Sequence, residues 1–444
     1  MAVDAIRRVL RNRGFGSIQP DGARDDVFAH SSALDKPTGD CHSRLLELAA
    51  TVFLWHAALG VFFLSLVQQY LPDELGASAA FPGYALAAYG LARFLWQTPA
   101  GWLADRFGRR ITLGVGIATA IPTLTLMMQV REGHLFLAFS ALYGLGAATM
   151  WPALLAHVAD THEPCVRGRT LHFLNLAQLA GLGAGVVFGI MLVDYISYEA
   201  AFAACLAFSA LALGLAMCRT EGSASPLRVQ GPVDRHLGLR GPRLIFTPSV
   251  LSLAAIALFL SLGTTIHTPA IGAYASEVLK VDLHRLAFML FIPAGVAAVV
   301  ALRCSHLADR FGRQLPLMIG LAVIALSLFA LTQTRSPFLA VNLAVLAGLA
   351  YAVSLPAWSA AALDATELGS RGVLLGALTA VQGLGGAMGQ ALGGTVNELY
   401  GPLAPFKLGA ILLVVALVLT FVYPRHQAKD QRVRAEPVPT ARIA

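Results

Sequence analysis

Long apolar stretches, separated by short polar connections, run along most of this 444-residue chain. Each stretch has about the 20 residues that an α-helix needs to cross a bilayer. The pattern predicts twelve membrane spans, numbered 1 to 12 in chain order: 46–70, 79–103, 111–130, 135–158, 170–193, 200–218, 249–275, 285–304, 315–333, 338–362, 373–396 and 404–423. We therefore expect an all-α integral membrane protein.

A repeat divides these spans into two sets of six. The sequence Gly-Trp-Leu-Ala-Asp-Arg-Phe-Gly-Arg-Arg at 101–110 returns as Ser-His-Leu-Ala-Asp-Arg-Phe-Gly-Arg-Gln at 305–314, and the same offset aligns Gly144 with Gly348. A fixed register over this distance indicates one structural unit present twice. The predicted domains are a tail at 1–44, a six-helix half at 45–218, a linker at 219–247, a second six-helix half at 248–424 and a tail at 425–444.

Charge predicts the orientation and argues against a soluble protein. Only 13% of the residues are charged, against roughly 25% in soluble domains. Most of the 32 Lys and Arg residues lie in the tails and in the connections on the same side of the membrane, which predicts that both termini are cytoplasmic. The net charge of +7 fits this asymmetry and attraction to anionic lipid, so we expect no nucleic-acid partner. The basic stretch Ile6–Arg11 is expected either to lie on the membrane as a helix or to be unstructured.

The motif at 101–110, its partial copy between spans 8 and 9, and the six-plus-six arrangement resemble the major facilitator superfamily. The resemblance covers all of the chain except the tails. It implies two halves related by an axis along the membrane normal, with a substrate site between them near the midplane. It also implies transport by alternating access, in which one half rocks on the other.

We hypothesise that the loop motif acts as a conformational latch against span 11, the helix that the motif faces in that family. Gly101 and Gly108 permit a tight connection, and Asp105 accepts hydrogen bonds from the free N–H groups at the start of span 11, near Arg371. By the repeat, Asp309 faces the start of span 5. These contacts exist only while the cytoplasmic side is closed; the alternative is that the basic loop only fixes topology. The predicted latch residues are Gly101, Asp105, Arg106, Gly108, Arg109, Asp160, Arg167, Asp309, Arg310, Gly312, Arg313, Asp364 and Arg371.

Polar side chains at membrane depth are costly, so they are candidates for binding substrate or an ion. Arg93 and Gln97 lie in span 2, and no Asp or Glu occurs at comparable depth. Arg93 either attracts an anionic group of the substrate or bonds acceptors across a helix interface. His56 in span 1 and His267 in span 7, just before Pro269, are candidate proton carriers because histidine titrates near pKa ~6.5; the alternative is a neutral hydrogen-bonding role.

Two pairs of residues in spans 4, 5, 10 and 11 complete the candidate site. Trp151 and Trp358 stand beside prolines and either form aromatic walls for an amphipathic substrate or pack against neighbouring helices. Gln178 and Gln382 are related by the repeat and either bond across the central seam or face substrate. Spans 5 and 11 are also rich in glycine, which predicts close helix packing, at Gly181, Gly183, Gly185, Gly189, Gly383, Gly385, Gly386, Gly389, Gly393 and Gly394.

The predicted function is secondary active transport of a small, amphipathic organic solute, with export favoured. No phosphate loop, nucleophile elbow or metal-ligand spacing occurs, so we expect neither an enzyme nor a cofactor or metal. The family's drug-exporter signature is only half present, because Ser140 stands where an Arg is usual and Val186 follows Gly185 in place of Pro. The expected setting is a monomer in the plasma (inner) membrane that uses a proton or other ion gradient. The alternatives are organic-anion uptake through Arg93, and a lipid flippase or non-transporting assembly protein.

Overall fold

The structure, a computed structural model, describes residues 6–10, 15–18, 27–30, 38–161, 164–219, 248–282, 285, 287–289, 314–364 and 371–435. The all-α membrane fold is confirmed, and eleven of the twelve expected spans are helical within this part of the chain. Span 8 lies almost entirely outside the described residues.

The first half consists of spans 1 to 6. Span 1 is unusual because its α-helix continues as a π-helix and then as one more α-helical turn. The bounds are Thr38–Gly60, Val61–Tyr70 and Leu71–Leu75 for span 1, Phe81–Phe107 for span 2, Arg109–Ala118 and Ala120–Gln129 for span 3, Gly133–Thr161 for span 4, Pro164–Tyr195 for span 5 and Tyr198–Arg219 for span 6. Several of these helices are longer than the roughly 20 residues a bilayer requires.

In the second half, span 7 is interrupted. Its helix Pro248–Thr265 is followed by a 3₁₀ turn at Thr268–Ala270, a helical turn at Ile271–Ala273 and a π-helix at Tyr274–Val278. Pro269 lies inside the 3₁₀ turn, as expected of a residue without a backbone N–H. Spans 9 to 12 are Gln314–Leu331, Pro337–Asp364, Arg371–Tyr400 and Ala404–Ala435.

The N-terminal tail differs from both expectations for its basic stretch. Strands β1 (Ile6–Leu10), β2 (Phe15–Ile18) and β3 (Val27–His30) form an antiparallel meander. Each strand contains the β-branched or aromatic residues that favour extended structure, and the sequence between β1 and β2 ends in Gly14, which suits a hairpin connection. The expectation of a surface helix or an unstructured segment at Ile6–Arg11 was therefore wrong.

Helices also extend into both segments that were assigned as tails. Span 1 begins at Thr38, before the predicted boundary at 45, and span 12 continues to Ala435, beyond the predicted boundary at 424. The added residues of span 12 include Ala, Gln, Lys and Arg. These residues favour helix without being apolar, so a search for apolar stretches cannot detect them.

Each half has its own hydrophobic core, and each core contains an equivalent pair of aromatic rings. In the first half the rings of Tyr70 and Phe202 lie 5.2 Å apart. The residues 204 positions later, Tyr274 and Phe406, lie 4.8 Å apart in the second half. The sequence repeat is therefore a repeat of side-chain packing as well as of span order.

Glycines bring spans 5 and 11 close to spans 1 and 7. A Cβ on Gly189 would fall 3.0 Å from the Val61 Cα, and one on Gly389 would fall 2.7 Å from the Leu262 carbonyl oxygen. Gly181, Gly185, Gly385 and Gly393 make similar approaches. Gly183 does not, because a Cβ there would meet nothing within 4 Å. The small-residue pattern thus predicted these seams correctly except at Gly183, which points away from span 1.

Nine helical segments in the described part of the chain are apolar and long enough to cross a membrane; spans 2 and 11 fall short of that hydropathy. Span 2 carries Arg93 and Gln97, and span 11 is rich in Gly and Gln. These two helices pack against each other between the halves. The surface in this contact is covered by protein and not by lipid, so it does not need to be apolar.

Candidate functional site

The two halves meet along spans 2 and 11, which run antiparallel. We call the end of the bundle where Gly108 joins spans 2 and 3 the tail side, and the end where Gly76 follows span 1 the far side. Toward the far side the helix backbones nearly touch, because a Cβ on Gly83 would fall 2.8 Å from the Gly394 Cα. Nearer the middle of the helices, a Cβ on Gly383 would fall 3.1 Å from the Phe94 ring.

Polar contacts add to this junction on the far side. The Glu398 carboxylate accepts hydrogen bonds from the Ser78 hydroxyl at 2.6 Å and from the Ala80 amide at 3.0 Å. The hydroxyls of Tyr84 and Thr395 share a further hydrogen bond of 3.0 Å. Glu398 therefore caps the start of span 2 from the other half of the protein. The two halves are therefore in contact on the far side along spans 2 and 11.

His56 lies inside the first half. Its side chain is 6% exposed, and its Nδ1 lies 2.8 Å from the Val52 carbonyl oxygen, one helical turn earlier. Since a carbonyl can only accept, this contact places a proton on Nδ1 and leaves Nε2 as the acceptor of the neutral ring. The structure thus brings the ring into a buried position with one nitrogen available to a further partner.

Arg93 lies on span 2, one turn after Tyr89. Its guanidinium is within electrostatic range of both His56 and the Tyr89 hydroxyl. Because spans 1 and 2 are antiparallel, Arg93 and His56 lie on the same side of the ring contact between Phe63 and Tyr89, whose centroids are 5.1 Å apart. The sequence predicted each residue separately; the structure brings them together.

A cluster of rings fills the first half beside these two residues. The Tyr143 ring lies 4.8 Å from Phe62, 5.8 Å from Trp55 and 6.0 Å from Tyr89. The hydroxyls of Tyr89 and Tyr143 are buried and have no hydrogen bond of ordinary geometry within the described residues. Buried hydroxyls without partners are uncommon. The polar side chains near these hydroxyls are Arg93 for Tyr89, and Cys205 and Ser209 for Tyr143.

The π-helix of span 1 supplies polar residues that sequence reasoning missed. The Ser65 hydroxyl and the side-chain carbonyl oxygens of Gln68 and Gln69 are buried without a hydrogen-bond partner in the described part of the chain. Gln68 faces the second half, since a Cβ on Gly272 would fall 3.9 Å from its Oε1. The sequence did contain a signal for these residues, because polar side chains recur at positions i, i+3 and i+4 of an otherwise apolar span. Their position in a π-helix adds to their interest, since π-helical segments are frequent at functional sites.

His267 lies at the break in span 7. Its ring stacks on Phe406 at 5.2 Å, and its Nδ1 is buried without a hydrogen-bond partner among the described residues. The Gly263 carbonyl, one turn earlier, is near the ring, but the geometry falls short of a hydrogen bond. His267 and His56 therefore lie in different halves.

The two tryptophans differ in their surroundings. Trp358 is 3% exposed, and its indole N–H donates to the Leu253 carbonyl of span 7 at 3.3 Å. This contact joins Trp358 of span 10 to span 7 inside the second half. Trp151 is half-buried and packs against the core of the first half. Gln97, Gln178 and Gln382 are half-buried.

The loop motif between spans 2 and 3 is a connection of one residue. Gly108 has φ of +94°, which explains why glycine stands there. Gly101, by contrast, lies within span 2, so the expectation that it permits the turn was wrong. The Arg106 guanidinium lies over the Trp102 ring at 5.1 Å, and Arg110 bonds the Met217 carbonyl.

The latch itself remains a prediction. Span 11 begins at Arg371, as expected, whereas span 5 begins at Pro164, before the expected start. The side chains of Asp105, Asp160, Arg167, Asp364 and Arg371, and the whole of Asp309, Arg310, Gly312 and Arg313, lie outside what the structure describes. Arg109 is described at the start of span 3.

Similarity to known proteins decides the family. The pattern described as Major Facilitator Superfamily matches residues 48–261 and 253–443, once over each half. The chain belongs to the major facilitator superfamily. It is therefore a multi-pass membrane transporter, and the resemblance noted in its sequence is confirmed.

Individual members of the superfamily resemble the chain over nearly their whole length. The proton-coupled antiporter flippase LtaA of Staphylococcus aureus (strain N315) is 24% identical over 404 residues, covering 87% of this chain and 97% of the relative. A bacterial homologue of the human lysosomal transporter Spinster, in an inward-facing and unoccupied conformation, has a TM-score of 0.71 at 16% identity, covering 89% of this chain and 99% of that one. A D-xylose-proton symporter has a TM-score of 0.67 at 15% identity, covering 85% and 97%. The two structures establish the superfamily fold.

Proposed function

We propose that this superfamily member exports a small amphipathic organic solute across the plasma membrane by alternating access, driven by a proton gradient. The observation that carries the proposal is the contrast between the two halves. Unpaired polar atoms collect in the first half, around Arg93 and in the π-helix of span 1. The second half contains a mainly apolar cavity. A solute with both characters could place its polar part against the first half and its apolar part in this cavity.

The polar wall favours a substrate with hydrogen-bonding groups. Ser65, Gln68 and Gln69 offer buried side-chain oxygens without a hydrogen-bond partner in the described residues. Leaving such groups buried and unsatisfied costs free energy, which a bound polar group recovers. Arg93 adds a positive charge that no Asp or Glu at comparable depth in the predicted spans neutralises. A substrate with an electron-rich or anionic head is therefore favoured on this wall.

Alternating access is supported by the nature of the far-side junction. It consists of a few hydrogen bonds around Glu398 and a glycine contact between Gly83 and Gly394. Contacts of this kind can be broken without exposing a hydrophobic core, since each half keeps its own core. With cytoplasmic termini, closure of the far side corresponds to the inward-facing state of transport.

Proton coupling is the role we assign to histidine. His56 and His267 are titratable groups within predicted spans that lack Asp and Glu at comparable depth. Two proteins similar to this chain are named as proton-coupled, the flippase LtaA and the D-xylose symporter. His56 is the stronger candidate because its ring lies in electrostatic range of Arg93. Loss of the proton from His56 would lower the local positive charge when substrate leaves.

The test is proton flux in liposomes that contain the purified protein. Under an imposed pH gradient, lumenal pH is recorded with a trapped dye while cationic, neutral and anionic amphiphiles are added. We expect flux with a subset of these compounds, loss of that flux in His56→Ala, and retention in His134→Ala. His134 is the matched control, since its exposed ring stacks on Phe81 at the start of span 4. Flux that is equal in both variants would overturn the role of His56.

Arg93→Gln separates export of an amphiphile from organic-anion uptake. Response to anions alone, abolished in Arg93→Gln, would establish uptake of an organic anion. Response to neutral compounds that survives in Arg93→Gln would support export and give Arg93 a structural role. Arg93→Lys keeps the charge but loses the planar guanidinium, so it tests whether charge or geometry matters.

A lipid flippase is the second candidate, favoured by the names of the relatives and by the apolar cavity. It predicts that fluorescent phospholipid analogues become accessible to a membrane-impermeant quencher faster in proteoliposomes than in protein-free liposomes. Such acceleration without solute-dependent proton flux would replace the export proposal. Absence of both activities would leave the role of a non-transporting assembly protein.

A further inference from the structure

The second half contains a partly open cavity of about 410 Å³ lined by residues of spans 7, 9, 10 and 12. This volume is within the range of small-molecule sites and has room for on the order of a dozen water-sized groups. Its lining is mainly aliphatic, with a few polar atoms. Among the lining residues are Ala340, Ala347, Leu328, His267, Tyr274 and Phe406. The cavity lies inside one half and not along the junction of spans 2 and 11.

The internal repeat shows what fills the same place in the first half. The residues 204 positions before Ala340 and Ala347 are Phe136 and Tyr143. Both of these rings are fully buried. Tyr143 packs on Phe62 at 4.8 Å, and Phe136 lies 6.1 Å from Tyr70.

The register is secure in this region. Gly144 aligns with Gly348 and Pro152 with Pro356 in the same two spans. The ring pair Tyr274 and Phe406 occupies the positions of Tyr70 and Phe202. The second half has thus exchanged two large rings for methyl groups while it kept the surrounding aromatic pair. Tyr351, which corresponds to Ala147 of the first half, adds one ring to the cavity lining and so replaces only one of the two missing rings.

One wall of the cavity carries an unpaired polar atom. His267 lines it, and the Nδ1 of that ring is buried without a partner among the described residues. In contrast, the other polar groups near this wall are occupied. The Tyr274 hydroxyl donates to the Leu331 carbonyl at 2.8 Å, and the Thr264 hydroxyl to the Leu260 carbonyl at 2.8 Å. A ligand that enters the cavity therefore meets the available Nδ1 of His267 among mainly apolar side chains.

We propose that this cavity binds the alkyl or acyl chain of an amphipathic ligand whose hydroxyl group hydrogen-bonds to His267. An aliphatic lining contributes mainly through burial of apolar surface, which a methylene chain provides. A hydroxyl both donates and accepts, so it suits either neutral tautomer of the ring. The proposal rests on the proposed function only in treating the chain as part of the transported solute; the binding site itself does not require transport.

The experiment uses a long-chain alcohol of about twelve carbons, a length set by the cavity volume, with a photoactivatable diazirine at the end of its chain. The full-length protein in lipid nanodiscs is irradiated with this probe, and the labelled residues are mapped by mass spectrometry. We expect saturable labelling of spans 9 and 10 around Leu328 and Val341. Competition by unlabelled alcohols should weaken about fourfold for each methylene removed.

The repeat supplies the variants. Ala340→Phe with Ala347→Tyr restores the ring pair of the first half and should abolish saturable labelling. Ala322→Phe, on an exposed face of span 9, is the matched control and should leave it unchanged. His267→Phe keeps a ring against Phe406 but removes Nδ1, so it should equalise the affinities for the alcohol and the corresponding alkane, whereas the unaltered protein prefers the alcohol.

Labelling that is not saturable, or that persists in the Ala340→Phe, Ala347→Tyr protein, would overturn the proposal. Because this measurement needs no transport, it is independent of the liposome assay. Proton flux without saturable labelling keeps the proposed function and removes the cavity site. Saturable labelling without flux keeps the site and removes the proposed function. Competition by a transported amphiphile would assign the chain to the substrate, and competition by phospholipid alone would assign it to a membrane lipid.

Discussion

Glu398 and Ser78 join the two halves of the transporter on the far side, where the carboxylate of Glu398 accepts a 2.6 Å hydrogen bond from the hydroxyl of Ser78. The same carboxylate caps the start of span 2 through the Ala80 amide. A negative charge is favourable at this position because the free N–H groups of a helix start carry a partial positive charge. The cap is lost when the far side opens, so Glu398 contributes to the balance between the two states.

We predict that Glu398→Ala increases the population of the far-side-open state. Loss of a helix cap costs about 1 kcal/mol, which is about fivefold in a population ratio. The measurement is the distance distribution between spin labels at Ala77 and Leu399, placed in a cysteine-free background. We expect a longer distance to become more populated in the variant.

Asp73→Ala is the control for this prediction. Asp73 accepts a 2.6 Å hydrogen bond from the Tyr198 hydroxyl, also on the far side, but both residues belong to the first half. Removing it breaks a bond of the same type without affecting the junction of the halves. An equal shift in Asp73→Ala and Glu398→Ala would mean that the effect is general and not due to the cross-half cap.

The glycine contact between spans 2 and 11 gives a second prediction. A Cβ on Gly394 would fall 2.5 Å from the Ala80 carbonyl oxygen, across the junction. Gly394→Ala should therefore prevent full closure of the far side and lengthen the same spin-label distance. The unfolding temperature should change little, because the two cores are untouched.

Glycines within one half should behave differently. Gly389→Ala would place a Cβ 2.7 Å from the Leu262 carbonyl oxygen inside the second half. We expect it to lower the unfolding temperature, by roughly 2–4 °C for each kcal/mol of destabilisation in a half of this size, with no increase in far-side opening. Gly183→Ala, with open space around its Cβ, should do neither. A reversal of these roles would contradict the division between moving and fixed glycine contacts.

A variant of Trp358 can distinguish a structural role of the indole from a role in contacting substrate. Trp358→Phe keeps most of the ring area but loses the N–H bond to Leu253, which should cost about 1 kcal/mol. We predict a lower unfolding temperature with unchanged preference among transported amphiphiles. Trp151→Phe, in the repeat-related span of the other half, is the comparison variant. A changed preference in Trp358→Phe at an unchanged unfolding temperature would show that the indole contacts substrate.

Much of the fold could be predicted because it depends on spacing and apolar character. Span positions, the two halves and most glycine contacts follow from periodic features of the sequence. The helical end at Ala435 did not, because its residues are polar helix formers, and the helical start at Thr38 did not, because the residues before Leu45 are mostly polar. The strands of the N-terminal tail were missed because short alternating segments give a weak signal beside a net basic charge.

The site was predicted only in part, because sequence identifies residue types more readily than contacts. Arg93 and His56 were found separately as polar residues in apolar spans, but their proximity depends on how spans 1 and 2 are aligned. The cavity of the second half exists because Ala340 and Ala347 have no ring to fill it. Comparison of these alanines with Phe136 and Tyr143 through the repeat would have indicated it.

The last prediction concerns two carboxylates at opposite ends of one helix pair. Because spans 2 and 11 are antiparallel, each begins beside the end of the other. On the far side, Glu398 at the end of span 11 caps the start of span 2. We predict that Asp105, at the end of span 2, caps the start of span 11 near Arg371 when the tail side is closed. Each helix would then carry a carboxylate that caps the free N–H groups at the start of its partner. The Glu398 cap would form when the far side is closed, and the Asp105 cap when the tail side is closed.

Asp105→Asn should therefore shift the balance in the direction opposite to Glu398→Ala, weakening disulfide cross-linking between cysteines introduced across the tail side. The two residues are far apart and share no partner, so their effects should add. The double variant should then return the spin-label distances of the far side close to those of the unaltered protein. If the double variant instead matches Glu398→Ala alone, Asp105 does not stabilise either state, and the basic residues of the motif act only in setting the orientation of the chain.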